Sequence, residues 1–142
     1  MEMTPFSRTV NYYETDRMGI VHHSNYLRFF EEARVDWLAQ LGIPYDVLEQ
    51  RGLMSPLLTS ACAYHKPLTF GEPFRVCIML TQYNGLRMTL AYRVERTTDD
   101  ALCATGETSH CFVDAATFRP LRLQRAFPDA HAALAACAVQ TD

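Results

Sequence analysis

Between Ser24 and Leu41 the apolar residues recur at helical steps. Tyr26, Phe30, Ala33, Trp37 and Leu41 fall three or four positions apart, with Leu27 and Leu38 widening the stripe. That spacing collects them on one side of an α-helix, the longest the sequence predicts. Ser24 suits the N-cap, Gly42 the C′ position, and Pro44 stops simple continuation. A stripe this bulky needs a broad apolar partner, and the rest of the chain supplies one.

After a short second helix over Tyr45 to Arg51, ended by Gly52, the apolar pattern becomes two-fold. Leu57 to Tyr64 reads as a strand, followed by the loop or edge "HKPLTFGEP". Phe74, Val76, Ile78 and Leu80 alternate with Arg75, Cys77, Met79 and Thr81, and Leu86 to Glu95 alternate likewise. Asn84-Gly85 between the two runs is a strong hairpin signal. "TTDD" makes the next turn, Ala101 to Val113 a further strand, and "AHAALAACA" a small terminal helix. Ahead of the long helix, Phe6 to Tyr13 predicts a first strand with Phe6, Val10 and Tyr12 on one face. The layout is α+β: an antiparallel sheet of about five strands wrapped around one long central helix. Such a sheet has exposed edges, so at least a dimer is expected.

At 142 residues the chain reads as a single domain, 1–142. Its net charge of −3 lacks the basic excess of a nucleic-acid surface. No apolar run is long enough for a membrane span, and "MEMTPFSRTV" lacks the cationic and apolar regions of a signal peptide, so a cytoplasmic protein is expected. The five cysteines are odd in number and show no C-x-x-C spacing, which argues against a disulfide framework or a zinc knuckle. Cys77, Cys103 and Cys111 fall within strand-like runs, as small buried apolar residues do.

The chemistry concentrates where the extended run gives way to the helix, in "YYETDRMGIVHHSNYLRFFEEAR". Glu14 and Asp16 precede Gly19; His22 and His23 precede the helix. An aspartate here can cap a turn, or it can serve as nucleophile or general base. Unpaired N–H groups at a helix start suit a developing oxyanion. A metal site is the rival reading of Glu14, Asp16, His22 and His23. Metal-binding helices favour histidines four apart, a spacing absent here, so no metal is expected. His22 reads as a residue outside the site, because successive side chains diverge.

Taken with "PLTFGEP" and "TGETSHCFVD", that stretch resembles the hotdog-fold thioesterases of the 4-hydroxybenzoyl-CoA thioesterase family, especially the bacterial acyl-CoA thioesterase branch. The likeness runs from about Phe6 to Pro120 and centres on the pattern T-D-x-x-G-[IV]-V-x-[HFY]-x-N-Y. The resemblance implies a sheet wrapped around a central helix, homodimers or homotetramers with interfacial sites, and cofactor-free hydrolysis of an acyl-CoA. It makes Asp16 the catalytic carboxylate, by direct attack or by activating water. It assigns the oxyanion N–H to His23 or a close neighbour, whose side chain can orient Asp16 or substrate. Gly19 and Asn25 complete the motif around the substrate, Asn25 by bonding the loop. Where relatives carry a small residue after the aspartate, this chain has Arg17 and then Met18, which can reshape the mouth or contact a phosphate. The hairpin carries only Arg87 where the aryl-CoA relative has a basic cluster, so Arg87 and Lys66 are the candidate CoA contacts. Two other functions stay open: a non-catalytic acyl-CoA binding scaffold, and a hotdog hydroxyacyl dehydratase or hydratase, which the T-D-x-x-G pattern disfavours.

Overall fold

The helical spacing after Ser24 becomes α1, Ser24–Gln40, in a computed structural model that describes residues 3–138. Tyr26, Phe29, Phe30, Ala33, Trp37 and Leu38 are its buried apolar residues. Burying each of the larger ones contributes roughly 1.5–3 kcal/mol. The stripe is rotated from the expected one: Phe29 is fully buried and Leu27 is exposed. The cap also falls one residue early, with His23 at the N-cap and Ser24 the first helical residue. Gly42 takes a positive φ of 81° just past the helix end, the conformation a C′ glycine supplies.

Around α1 wraps an antiparallel sheet of β1 (Phe6–Thr9), β3 (Leu57–Tyr64), β4 (Pro73–Tyr83), β5 (Arg87–Arg96) and β6 (Leu102–Cys111), in the order β1-β4-β5-β6-β3. The alternation expected of β4 and β5 is met, with Phe74 buried and with Val76 and Leu80 buried opposite Val94 and Leu90. At the hairpin the Asn84 side-chain carbonyl accepts the N–H groups of Leu86 and Arg87 at 2.9 and 2.8 Å. The Phe30 ring stacks on Tyr92 with centroids 4.4 Å apart. It reaches the sheet because β6 carries Gly106 there; a Cβ at that position would collide with the Phe30 ring.

The remaining elements close the ends. Helix α2 (Tyr45–Gln50) leads into β2 (Leu53–Met54), which pairs with β7 (Val113–Asp114), and α3 (Leu123–Ala126) precedes α4 (Pro128–Cys137). The expected terminal helix is thus present; the short pair and α3 were not expected.

One further expectation is corrected, and one edge of the sheet lies open. The first strand stops at Thr9, and Tyr12–Glu14 form a 3-10 turn that leaves Tyr12 76% exposed rather than in the core. The edge strand β3 is exposed along most of its length, with Leu57, Leu58 and Tyr64 all open to solvent.

Candidate active site

Asp16 begins a tight turn that its neighbours define completely. Its carbonyl accepts the Gly19 N–H at 2.9 Å, its own N–H donates to Ile20 at 2.8 Å, and Gly19 adopts the positive φ that the turn demands. One carboxylate oxygen accepts the Met18 N–H at 2.8 Å. Bridge pairing of Thr15 with Val21 and of Ile20 with Thr69 holds the turn against the loop after β3.

The turn is tied to α1 through Glu14. This carboxylate is 4% exposed and takes the Arg8 guanidinium on both oxygens, at 2.8 and 2.5 Å, together with the Asn11 N–H at 2.8 Å. Burial alone would push the Glu14 carboxyl up, but these donors outweigh it and hold it below the usual range. Arg8 also bonds Glu32 and lies over the Phe29 and Phe74 rings. The Glu14 carbonyl accepts both the His22 N–H at 2.9 Å and the Asn25 side-chain amide at 2.8 Å. Buried Asn25 is therefore a buttress between loop and helix.

The result is a cavity of about 320 Å³ lined by Asp16, Met18, His23, Tyr26, Tyr64 and Lys66, among others. At its edge, the N–H of Asn25 bonds His22 and that of Ser24 approaches the His22 ring, while that of His23 has no partner among the described residues. Burial pushes the Tyr26 hydroxyl well above its ordinary pKa, so that wall stays neutral. The cavity thus combines a half-buried carboxylate, a free N–H at a helix start, and an apolar side.

Three expected residues, Asp16, His23 and Lys66, line this one space. Arg17 is exposed and Gly19 shapes the turn; neither lines the cavity, nor does Asn25. Arg87 stands apart, on an open groove with Tyr83, Asn84 and Ser109. The two histidine rings do not diverge: their centroids are 4.1 Å apart. Tyr64, His65 and Pro67 were missed as wall residues; they arrive from the end of β3, and nothing local marks them. Among the described residues no cluster of histidine, cysteine, aspartate or glutamate has the geometry to hold a metal.

Residues 10–135 match the thioesterase-like superfamily. The chain belongs to that family. This thioesterase-like chain is 37% identical over 124 residues to YneP of Bacillus subtilis, provisionally named an acyl-CoA thioesterase, across 87% of this chain and 89% of that one. It is 34% identical to a 1,4-dihydroxy-2-naphthoyl-CoA hydrolase of Thermosynechococcus vestitus, across 78% and 77% of the two chains. The solved DHNA-CoA thioesterase of Staphylococcus aureus superposes with a TM-score of 0.89 at 33% identity, covering 94% of this chain and 89% of that one. The expected α+β hotdog fold and enzyme class, a thioester hydrolase, both hold. No described helix is long and apolar enough to cross a membrane.

Proposed function

We propose that this thioesterase hydrolyses an acyl-CoA, with Asp16 as nucleophile or general base and the His23 N–H as oxyanion donor. The observation that carries the reading is that half-buried Asp16 and His23, whose N–H has no partner among the described residues, line one cavity. A thioester carbonyl accepting that N–H would be polarised where negative charge develops. Asp16 can then attack the carbonyl carbon, expelling CoA thiolate and leaving a mixed anhydride that water cleaves. Alternatively it takes a proton from a water that attacks directly. The bond broken overall is carbon–sulfur in both routes, and the products are the free acid and CoA. Lys66 on the cavity wall and Arg17 on the turn are the candidate cations for the phosphates; Arg87, on a separate groove, serves only a nucleotide that extends there. No cofactor or metal enters either route. All five cysteines are free thiols, which fits the expected cytoplasmic setting.

The working unit in this reading is a homodimer or a pair of dimers. Strand β3 offers eight residues of unpaired edge, including exposed Leu57, Leu58 and Tyr64. Two copies paired antiparallel about a two-fold between Ser60 and Ala61 would bury that edge and set the Tyr64 end of one β3 beside the Leu57 end of the other. Light scattering should show a dimer or larger at assay concentration; a fully active monomer would refute the assembly.

The activity is tested by thiol release from a panel of acyl-CoAs, with calorimetric binding of the same compounds. Asp16→Asn should lower kcat by at least ~10²-fold while binding persists, since it keeps the shape and removes the base. Near wild-type turnover by Asp16→Asn would remove Asp16 from its role. Binding without turnover by the wild type would instead make the protein a scaffold.

A further inference from the structure

A second cavity, of about 260 Å³, opens beside the middle of α1, with Arg34, Leu38, Ser55, Leu57, Met88 and His110 among its walls. Its chemistry is set by an arginine in an unusual state for this molecule. Four arginines are half-buried: Arg8, Arg34, Arg75 and Arg96. Three of them hold carboxylates, Arg8 through Glu14 and Glu32, Arg75 through Glu95 and Asp100, Arg96 through Glu72 and Asp99. Arg34 holds none among the described residues. Its hydrogen bond is to the neutral Tyr92 hydroxyl, at 3.1 Å. A half-withdrawn guanidinium with spare donors is suited to a planar anion.

The groups behind Arg34 leave those donors free. Arg34 can only donate to Tyr92, whose hydroxyl lies 2.6 Å from Thr108 Oγ1, which lies 2.9 Å from His110 Nε2. A single donor direction satisfies the line, from Arg34 through Tyr92 and Thr108 to the imidazole, so each hydroxyl passes its proton onward and returns nothing to the arginine. Burial, with the Arg34 charge adding to it, holds His110 neutral down to about pH 4. The Ser55 hydroxyl on the same wall is buried and has no hydrogen-bond partner among the described residues. Two sets of polar donors therefore line one small space, and among the described residues neither is bonded to Glu31, the one carboxylate on its wall. Leu38, Leu57 and Met88 make the rest of the wall apolar, and Glu31 on the rim balances the one cation. That balance disfavours a dianionic phosphate and suits a single negative charge on an apolar stem.

We propose that this cavity receives a carboxylate at the far end of the acyl group, gripped by Arg34, so that ω-carboxyacyl-CoA thioesters are the favoured substrates. The proposal rests on the acyl-CoA reading and on the β3 pairing above, which sets the Leu57 end of one strand beside the Tyr64 end at its partner's Asp16 cavity.

The test measures kcat/KM for matched pairs: succinyl- with butanoyl-CoA, glutaryl- with pentanoyl-CoA, adipoyl- with hexanoyl-CoA. Wild type should prefer the carboxylated member of at least one pair by about tenfold or more, as a charge-assisted hydrogen bond implies. Arg34→Gln should abolish that preference, mainly through KM, and leave the uncharged thioester within about twofold of wild type. Arg34→Lys, which keeps the charge without the fork, should restore part of the preference, and it carries the comparison if Arg34→Gln melts too low to assay. Equal kcat/KM within every wild-type pair, or equal losses for both members in Arg34→Gln, overturns the proposal. If wild type cleaves no thioester at all, the acyl-CoA hydrolase reading fails first. Calorimetric titration of glutaryl- against pentanoyl-CoA then decides the cavity alone: tighter binding of the former, lost in Arg34→Gln, supports it, and equal binding overturns it.

Discussion

Glu14 and Asp16 stand two residues apart and carry the same functional group, yet the fold treats them oppositely. Glu14 is buried and bonded at both carboxylate oxygens to Arg8, with the Asn11 N–H added. Asp16 is half-buried on a cavity wall, and among the described residues its carboxylate accepts only the Met18 backbone N–H. A carboxylate whose acceptor positions are filled can hold a loop but has nothing left to offer a substrate. One with open lone pairs at a cavity is available for chemistry. The difference comes from partners outside the turn, since Arg8, itself held by Glu32, closes on Glu14, and among the described residues no cation closes on Asp16.

The comparison breaks most visibly in stability. Glu14→Ala leaves a hole beside the half-buried Arg8, which keeps Glu32 as a partner, and should cost about 3 kcal/mol in a denaturant melt through the charge-assisted hydrogen bonds it removes. Asp16→Asn should stay within about 0.5 kcal/mol of wild type in the same melt, its damage confined to turnover. If the two variants melt alike, the division of labour between these carboxylates is wrong.

Acid sharpens it further. His110, with a folded pKa of about 4 against an ordinary 6.5, stays neutral where the unfolded chain would take up a proton. Its contribution is therefore whole above about pH 6.5 and lost as pH falls toward 4, amounting to about 3 kcal/mol. Glu14, with its folded pKa lowered, contributes stability above its unfolded value and loses it as pH drops through the folded one. Melting temperature followed from pH 7 to pH 3 should fall in two overlapping stages. Glu14→Gln should flatten the lower stage only.

The smallest effect belongs to the strut between loop and helix. Asn25→Ala strands the Glu14 carbonyl's second bond and should cost about 1–3 kcal/mol. Because it loosens the turn against α1, it should also lower kcat more than it raises KM. A stability loss with unchanged kinetics would separate the strut from the cavity.

What the sequence made legible follows from how local each signal is. The Ser24 stripe and the Asn84-Gly85 turn are read from neighbours within a few residues, and both formed. Phe29 and Leu27 were exchanged because two positions beside the stripe look equivalent until the sheet's direction is known. Asp16 and His23 came from one motif between Thr15 and Tyr26, and the cavity does gather them. Tyr64, Arg34 and the Arg8–Glu14 pair escaped notice because each acquires meaning only from a partner distant along the chain.

Gly106 carries a consequence of a different kind. The helix seats on the sheet at a height set by the thickness of the Phe30 ring, and that ring occupies the volume a side chain on β6 would otherwise fill. The two positions therefore share one fixed allotment of space. Among chains that keep this seating, a larger residue at the strand position should be accompanied by a smaller one at the helix position, so the pair should drift together through descent even though neither residue touches the chemistry.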